Sequence, residues 1–278
     1  MPIIKERRTR WGKMEKSHIP ISSLVDQYIL TCRTEGKTFS TIRGYREKLR
    51  RFLGWGEADK LGDFTVEMVR DYISHLQSAH KYDGHPFNPT QDKLLSQAAV
   101  RNHVMVLRSF SSWLYRELYT TENVLKRLQV PKAPVKVIEA LTDEEIEQLF
   151  SSLDVNVDVG CRNAALLMLF LDTGLRSSEL LGLQLEDVHL EEQWLKVMGK
   201  GQKERIVPFG AKATRLLQRY VTIFRPSTTI GSQFFPCVDG SPLGDNAIRI
   251  MFSRLGERAG VPGYTYTFSG ILSRLGTF

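Results

Sequence analysis

The chain of 278 residues holds little cysteine, and what it has is scattered: Cys32, Cys161 and Cys237. An odd number at such spacings excludes a disulfide framework, and no Cys/His cluster with zinc-ligand spacing accompanies them, so all three read as reduced thiols. Long apolar runs are lacking too. The longest candidate, Ala164 to Leu171, is too short to cross a bilayer and reads as a buried helix. The N-terminus is basic, with no apolar stretch behind the charges, which excludes a secretory signal. There is no internal repeat and no low-complexity segment. Acidic residues are outnumbered, 31 Asp and Glu against 38 Lys and Arg, which leaves a net charge of +7 and a pI near 9.3. A surplus of this sign points toward an acidic partner, most often nucleic acid, although a merely basic soluble protein carries the same charge. No membrane contact, metal or cofactor is expected, and the expected location is cytoplasmic, with the nucleoid.

The length favours two domains of ordinary size. The first 18 residues form a basic arm with Lys5, Arg7, Arg8, Arg10, Lys13 and Lys16 against Glu6 and Glu15. It reads either as a solvated tail or as a segment that settles on a phosphate backbone. Residues 19–130 have helical periodicity throughout. Ile21, Leu24, Val25, Tyr28 and Ile29 share one face, and Ser40 or Thr41 can cap a second helix lined by Ile42, Tyr45, Leu49, Phe52 and Leu53. The opposite face of that helix is basic, with Arg43 among its DNA-binding candidates. Thr65 starts a third helix, Tyr82 to Thr90 is a loop, and a fourth helix from Ser96 buries Val100, Val104, Leu107, Phe110, Trp113 and Leu114. Its exposed positions are predicted to include Arg101, Asn102, His103 and Arg108, Arg101 being the second DNA-binding candidate. The aromatic stripes at this spacing read as core rather than as base-stacking platforms.

Residues 131–138, with Pro131 and Pro134, have the composition of a linker. Thr142-Asp143-Glu144-Glu145 then has the form of a capping box, with Thr142 as N-cap and Glu145 three residues on. The apolar helix that follows ends at Thr173-Gly174, and Ser177 or Ser178 can cap the next one. Trp194–Met198 and Arg205–Pro208 alternate as two strands around a glycine-rich basic turn, Gly199-Lys200-Gly201-Gln202-Lys203. Helices are predicted at 212–224 and 245–257.

Two residue types in this second half suit phosphate chemistry. Arg176 stands on a glycine turn that opens a helix, and a guanidinium there offers a planar, permanently charged fork for two phosphate oxygens. Lys200 stands on the hairpin tip, where an amine can act as a movable proton donor. Lys203 and Arg205 suit plain backbone contacts that position DNA without reading it. A salt bridge from Arg176 to Glu179 is the structural alternative for that arginine.

The combination Thr173-Gly174-Leu175-Arg176-Ser177-Ser178-Glu179-Leu180, Asp187-Val188 and Gly199-Lys200-Gly201-Gln202-Lys203-Glu204-Arg205-Ile206-Val207-Pro208 resembles the tyrosine recombinase family, the phage integrases and Xer-type recombinases. Ser40-Thr41-Ile42 with Tyr45, Leu49 and Phe52, and Leu141 to Ile146, extend the likeness over most of the chain. The resemblance implies a mainly α fold with a small β-hairpin or sheet. A helical core-binding domain (19–130) would be joined through 131–138 to a mixed α+β catalytic domain (139–278). It implies cleavage and joining of double-stranded DNA at inverted repeats through a phosphotyrosyl intermediate, without metal or nucleotide, and self-association on the DNA. Arg176 takes the place of the first clamp arginine and Lys200 that of the hairpin lysine. The family's H-x-L/F-R-H box reads here Tyr266-Thr267-Phe268-Ser269-Gly270, so a histidine, the second arginine and the last histidine are replaced. No second histidine box and no nucleophilic tyrosine follow, and Tyr264 and Tyr266 lie in the wrong segment to serve. The expectation is a recombinase-family chain that is truncated or degenerate and inactive in cleavage. The alternative is a non-catalytic DNA-binding regulator or accessory factor at recombination sites.

Overall fold

Among the described residues, four amphipathic helices build the first of two compact units, Met1–Lys136 and Val137–Phe278. The structure, a computed structural model, describes residues 11, 14–56, 59–83, 89–134, 141–199, 203–227 and 231–261. Helix α1 (Ile21–Thr34) buries Ile21, Leu24, Val25, Tyr28, Ile29 and Cys32. Helix α2 (Phe39–Trp55) starts earlier than Ser40 or Thr41 would have it. Thr38 is the N-cap, its Oγ1 accepting from the Thr41 amide at 3.4 Å. The helix stops at Trp55 before Gly56. Helices α3 (Val66–Ser78) and α4 (Gln97–Arg116) begin behind Thr65 and Ser96, whose hydroxyls accept the Met68 and Ala99 amides at 3.2 Å each.

Phe52, Tyr72 and Phe110 of α2, α3 and α4 meet in the core, with Phe52 and Tyr72 edge to face at 5.1 Å between centroids. The aromatic stripes are therefore core, as their spacing predicts. The described ends of the 82–90 loop region adjoin a small antiparallel pair, β1 (His80–Lys81) with β2 (Gln91–Leu94), while residues 84–88 lie outside the described residues. All four residues of β2 are exposed, so no apolar alternation marks the strand in the sequence.

His103 corrects a prediction. It is not an exposed position of α4 but a buried one, 7% accessible, with Nδ1 3.0 Å from the Tyr72 hydroxyl. Burial, helped by the positive charges of Arg51 and Lys48, lowers its pKa from 6.5 to about 4. The fold thus favours neutral imidazole. Stability is complete above about pH 6.5 and is lost as the pH falls toward 4, because the unfolded chain takes up the proton first. Thermal melting of the chain should show a loss on the order of 1–3 kcal/mol from this group across that window. The His103→Gln variant should show a flatter pH dependence between 6.5 and 4.5, and an unchanged slope would refute the assignment.

In the second unit, α5 (Asp143–Ser151) opens with the predicted reciprocal box: the Glu145 amide donates to Thr142 Oγ1 at 3.2 Å and the Thr142 amide to Glu145 Oε2 at 2.8 Å. Helix α6 (Asp158–Thr173) is buried nearly all round, from Cys161 through Ala164, Leu167 and Phe170. The preceding loop returns so closely over its first turn that a Cβ on Gly160 would stand 1.8 Å from the Asp154 carbonyl oxygen. After the short α7 (Ser177–Gly182) comes a three-stranded antiparallel sheet in the order β3-β4-β5, formed by Val188–His189, Trp194–Met198 and Glu204–Pro208. Leu195 and Val197 of β4 face the core. Helix α8 (Ala211–Arg219) runs into a π-helical turn, Tyr220–Phe224, and α9 (Asp245–Ala259) ends on Gly260 in the left-handed region. The architecture is mainly helical with small sheets.

Candidate phosphate-binding site

Arg176 owes its position to the end of α6. Gly174 adopts φ 67°, ψ 25°, a conformation that a side chain disfavours, and its amide closes on the Phe170 carbonyl at 3.0 Å. Leu175, fully buried, pins the turn. The chain then re-enters a helix at Ser177, so Arg176 itself occupies the N-cap position of α7. Neither Ser177 nor Ser178 caps it. The orphan backbone donor is met by Glu179, whose Oε2 accepts from the Arg176 amide at 2.9 Å.

Glu179 is the centre of the arrangement. Its side chain is only 3% exposed, yet both carboxylate oxygens are fully engaged. Oε1 accepts from Arg176 Nη1 at 2.9 Å and from Arg205 Nη1 at 2.8 Å. Oε2 accepts from the Arg176 amide and from Arg205 Nη2, both at 2.9 Å. The Arg205 guanidinium, then the Arg176 amide and side chain, hold the carboxyl near a pKa of about 2 against the opposing effect of burial. The same pairing raises the pKa of Arg205.

Arg205 reaches Glu179 because of register. It lies opposite Val197 across β4 and β5, and directly paired residues share a face; Val197 is buried. Gly199 supplies the room, since a Cβ there would meet Arg205 Nη1 at 3.0 Å and the Lys203 carbonyl oxygen at 3.3 Å. The hairpin is closed below its tip by the Gly199 amide donating to the Lys203 carbonyl at 2.8 Å. At the other end of the segment the Gly210 amide donates to Asp172 Oδ2 at 2.5 Å. A carboxylate from the end of α6 thereby closes the start of α8.

The predicted candidates separate into groups. Arg176 and Arg205 are brought together on one carboxylate, with Arg176 still 63% and Arg205 42% exposed. The structural alternative for Arg176, a bridge to Glu179, is thus present while most of its guanidinium faces solvent. Arg205, predicted to touch a DNA backbone, has two of its donors on Glu179, a tie the sequence reading missed. The strand alternation held that signal, since Arg205 and Val207 fall on the face of Leu195 and Val197. Lys203 is exposed beside them and makes no side-chain hydrogen bond or ion pair among the described residues. Lys200 lies outside the described residues, as do Tyr264, Tyr266, Ser269 and Gly270. In the first unit Arg43 pairs with Glu47 at 2.8 Å on the exposed face of α2, and Arg101 is exposed on α4. Among the described residues no group of three His, Cys, Asp or Glu could hold a metal ion, and no helix is long and apolar enough to cross a membrane.

The cluster is therefore an exposed guanidinium held at a helix start by a buried anion, next to a basic hairpin. It can bind a phosphate bidentately while Glu179 fixes its direction.

Comparison with known proteins bears on residues 139–270, which match the model of the phage integrase family. The tyrosine recombinase XerD of Halalkalibacterium halodurans is 30% identical over 190 residues, covering 67% of this chain and 59% of the relative. The XerD of Staphylococcus aureus is 29% identical over 250 residues, 87% of this chain and 79% of the relative. Among solved structures, a lambda integrase (75–356) dimer bound to a COC′ core site superposes with a TM-score of 0.68 at 17% identity, over 92% of this chain and 88% of that one. The XerH recombinase bound to a palindromic difH substrate gives 0.65 at 20% identity, over 95% and 79%. These structures share the fold.

Proposed function

Since the chain belongs to the phage integrase family of tyrosine recombinases, we propose that it binds double-stranded DNA at inverted-repeat recombination sites and takes a backbone phosphate on Arg176. One observation carries this reading: a buried carboxylate holds Arg176 by its amide and one guanidinium nitrogen while the arginine remains open to solvent. In this reading residues 19–130 are the core-binding domain, preceded by the basic arm 1–18, and 131–138 link it to a catalytic unit from 139 onward. Lys203 and the exposed Arg43 and Arg101 add phosphate contacts that set register without reading sequence. Arg205 acts mainly through Glu179. By its match to the family's hairpin lysine, Lys200 takes the role of acid toward a leaving 5′-oxygen.

The same reading holds that cleavage is not completed by this chain. Where the family has a histidine, its second arginine and a further histidine, the sequence has Tyr266, Ser269 and Gly270. Loss of one donor to a developing charge costs about 10²–10³ in rate. Replacing that arginine and two histidines together slows cleavage far more than it weakens phosphate binding, which favours a regulator or accessory role at such sites. As protein occupying DNA, it would self-associate on paired repeats.

Labelled duplexes carrying inverted repeats from the DNA flanking the reading frame test both parts. A shift without a detergent-stable protein–DNA adduct is expected, with affinity falling steeply with salt as counterions are released. A covalent adduct would overturn the incompleteness, and no shift at low salt would overturn the DNA reading.

A further inference from the structure

The outer face of the three-stranded sheet in the second unit takes no part in the site above. Strand register places His189, Trp194 and Pro208 in one row across β3, β4 and β5, and Lys196 beside Ile206 in the next. The His189 ring stacks on the Trp194 indole, with centroids 3.6 Å apart. Ile206 is 66% exposed, and Met198, two residues past Lys196 on β4, is exposed as well. Single apolar side chains on a surface are ordinary, but a group that spans neighbouring strands marks a contact surface. Its rim is acidic. Lys196 Nζ lies 3.6 Å from Asp187 Oδ1 and 4.0 Å from Glu204 Oε1, so the one ammonium of the face is already matched. Glu186 is exposed, as are Glu191 and Glu192 in the turn that joins β3 to β4. None of the three has a side-chain hydrogen bond or ion pair among the described residues. On a chain of net charge +7 this is a local excess of carboxylates, which repels a phosphate backbone and attracts a basic protein surface.

The same unit carries the complement. Lys212, Arg215, Arg219 and Ile223 follow at steps of three and four residues along α8 and the π-helical turn, so they share one stripe. Arg219 is tied to the Val155 carbonyl and Asn156, whereas Lys212 and Arg215 are exposed and have no partner among the described residues. Ile223 is 63% exposed. The spacings also agree. Arg215 and Ile223 are separated by about 12 Å at the helical rise of about 1.5 Å per residue. Lys196, opposite Ile206, and Glu192 are at most about 13 Å apart at about 3.3 Å per residue.

We infer that the outer sheet face of one copy receives the α8 stripe of a second copy of this chain, Ile223 against Ile206 and Trp194, with Lys212 and Arg215 against Glu191 and Glu192. The inference rests on the self-association proposed above and gives it two surfaces. The contact is heterologous: two different patches meet, so each copy in a pair keeps one of them free for a further copy. At about 0.15 M salt the screening length is about 8 Å, which removes most of the repulsion between two basic chains and leaves the contact pairs.

The experiment is sedimentation velocity of the full chain at that salt, without DNA, over a series of protein concentrations. The sedimentation coefficient of the parent should rise with concentration. Reversing the sheet rim (E191K with E192K) or the stripe (K212E with R215E) should each weaken self-association at least about tenfold, since like charges then face each other. An equal mixture of the two reversed chains should associate as the parent does. The reversed rim of one meets the reversed stripe of the other, and their unaltered surfaces pair in return. Ile206→Ser leaves every charge in place and should weaken association about 3- to 10-fold through lost apolar contact; it carries the test should a reversed chain not fold. A parent that stays monomeric at every concentration would overturn the inference. So would a mixture that associates no better than its components, or an Ile206→Ser chain that associates like the parent. Duplex binding is read separately by mobility shift, so a monomeric parent that still shifts DNA loses this contact and keeps the DNA reading.

Discussion

Replacing Gly160 by alanine is expected to lower the stability of the second unit by about 3–5 kcal/mol, one of the largest single-residue effects the fold allows. In an exposed helix the same change is worth about 1 kcal/mol in the opposite direction, because alanine loses less backbone entropy. Here the new methyl group would stand 1.8 Å from the Asp154 carbonyl oxygen and 2.7 Å from its carbon. Both are main-chain atoms, so no rotamer change relieves the overlap. Either the 152–157 loop lifts, giving up the bonds from Arg219 to the Val155 carbonyl (3.3 Å) and Asn156 Oδ1 (2.8 Å), or the first turn of α6 unwinds beside the buried Cys161. Gly54 is the internal control. It lies in α2, and a methyl group added there would meet nothing within 4 Å, so Gly54→Ala should be neutral or mildly stabilising. Thermal melting of both variants decides the matter: a Gly160→Ala chain that melts with the parent would show that the loop is not held against the helix.

The second large effect is expected at Glu179. Exchanging this carboxylate for an amide in Glu179→Gln leaves two oxygen-directed arginines facing an NH₂ group, in a position almost closed to solvent. Removing one partner of a fully buried ion pair costs about 3–5 kcal/mol. Arg176 and Arg205 can turn partly toward solvent, so a loss of about 2–4 kcal/mol is expected in urea denaturation at neutral pH. The pH dependence has a definite sign. The folded pKa of Glu179 is depressed to about 2 from an ordinary 4.5, so its contribution is complete above about pH 4.5 and is lost as the pH falls toward 2. The glutamine variant should therefore be weaker at pH 7 and should lose less than the parent on going from pH 5 to pH 3. Equal stability of the two chains at neutral pH would sink the view of Glu179 as the organising anion.

Much of the fold was legible because it rests on local rules. Ser96, Thr65 and Thr142 cap the helices that their position before an apolar periodic run predicts, and Gly174 ends α6 where a left-handed residue was needed. The failures share a cause. His103 sits between Val100, Val104 and Leu107 on the helix surface, and periodicity alone cannot say that Tyr72, from another helix, supplies the partner that lets an imidazole be buried. The strand Gln91–Leu94 is exposed on all four residues, so no alternation announces it. At the start of α7 the serines looked like caps, yet Glu179 fills that role from within the helix and frees Arg176 for the N-cap position. Residue type and spacing single out Arg176 and the basic hairpin as candidate phosphate ligands. Their joint dependence on one buried glutamate was not legible, since it links positions 26 apart through a strand register.

The bond between Gly210 and Asp172 has a further meaning for how the molecule is made. It joins residues 38 apart, and the ties from Glu179 to Arg176 and Arg205 all fall inside the loop it closes. The entropy of closing a loop grows only with the logarithm of its length, and contacts of short sequence separation form soonest. The ties that hold the two arginines on Glu179 are thus of low contact order. The arginines can be brought into register while the chain is still being synthesised, as soon as residue 210 has cleared the ribosome and before α9 exists to pack beneath them.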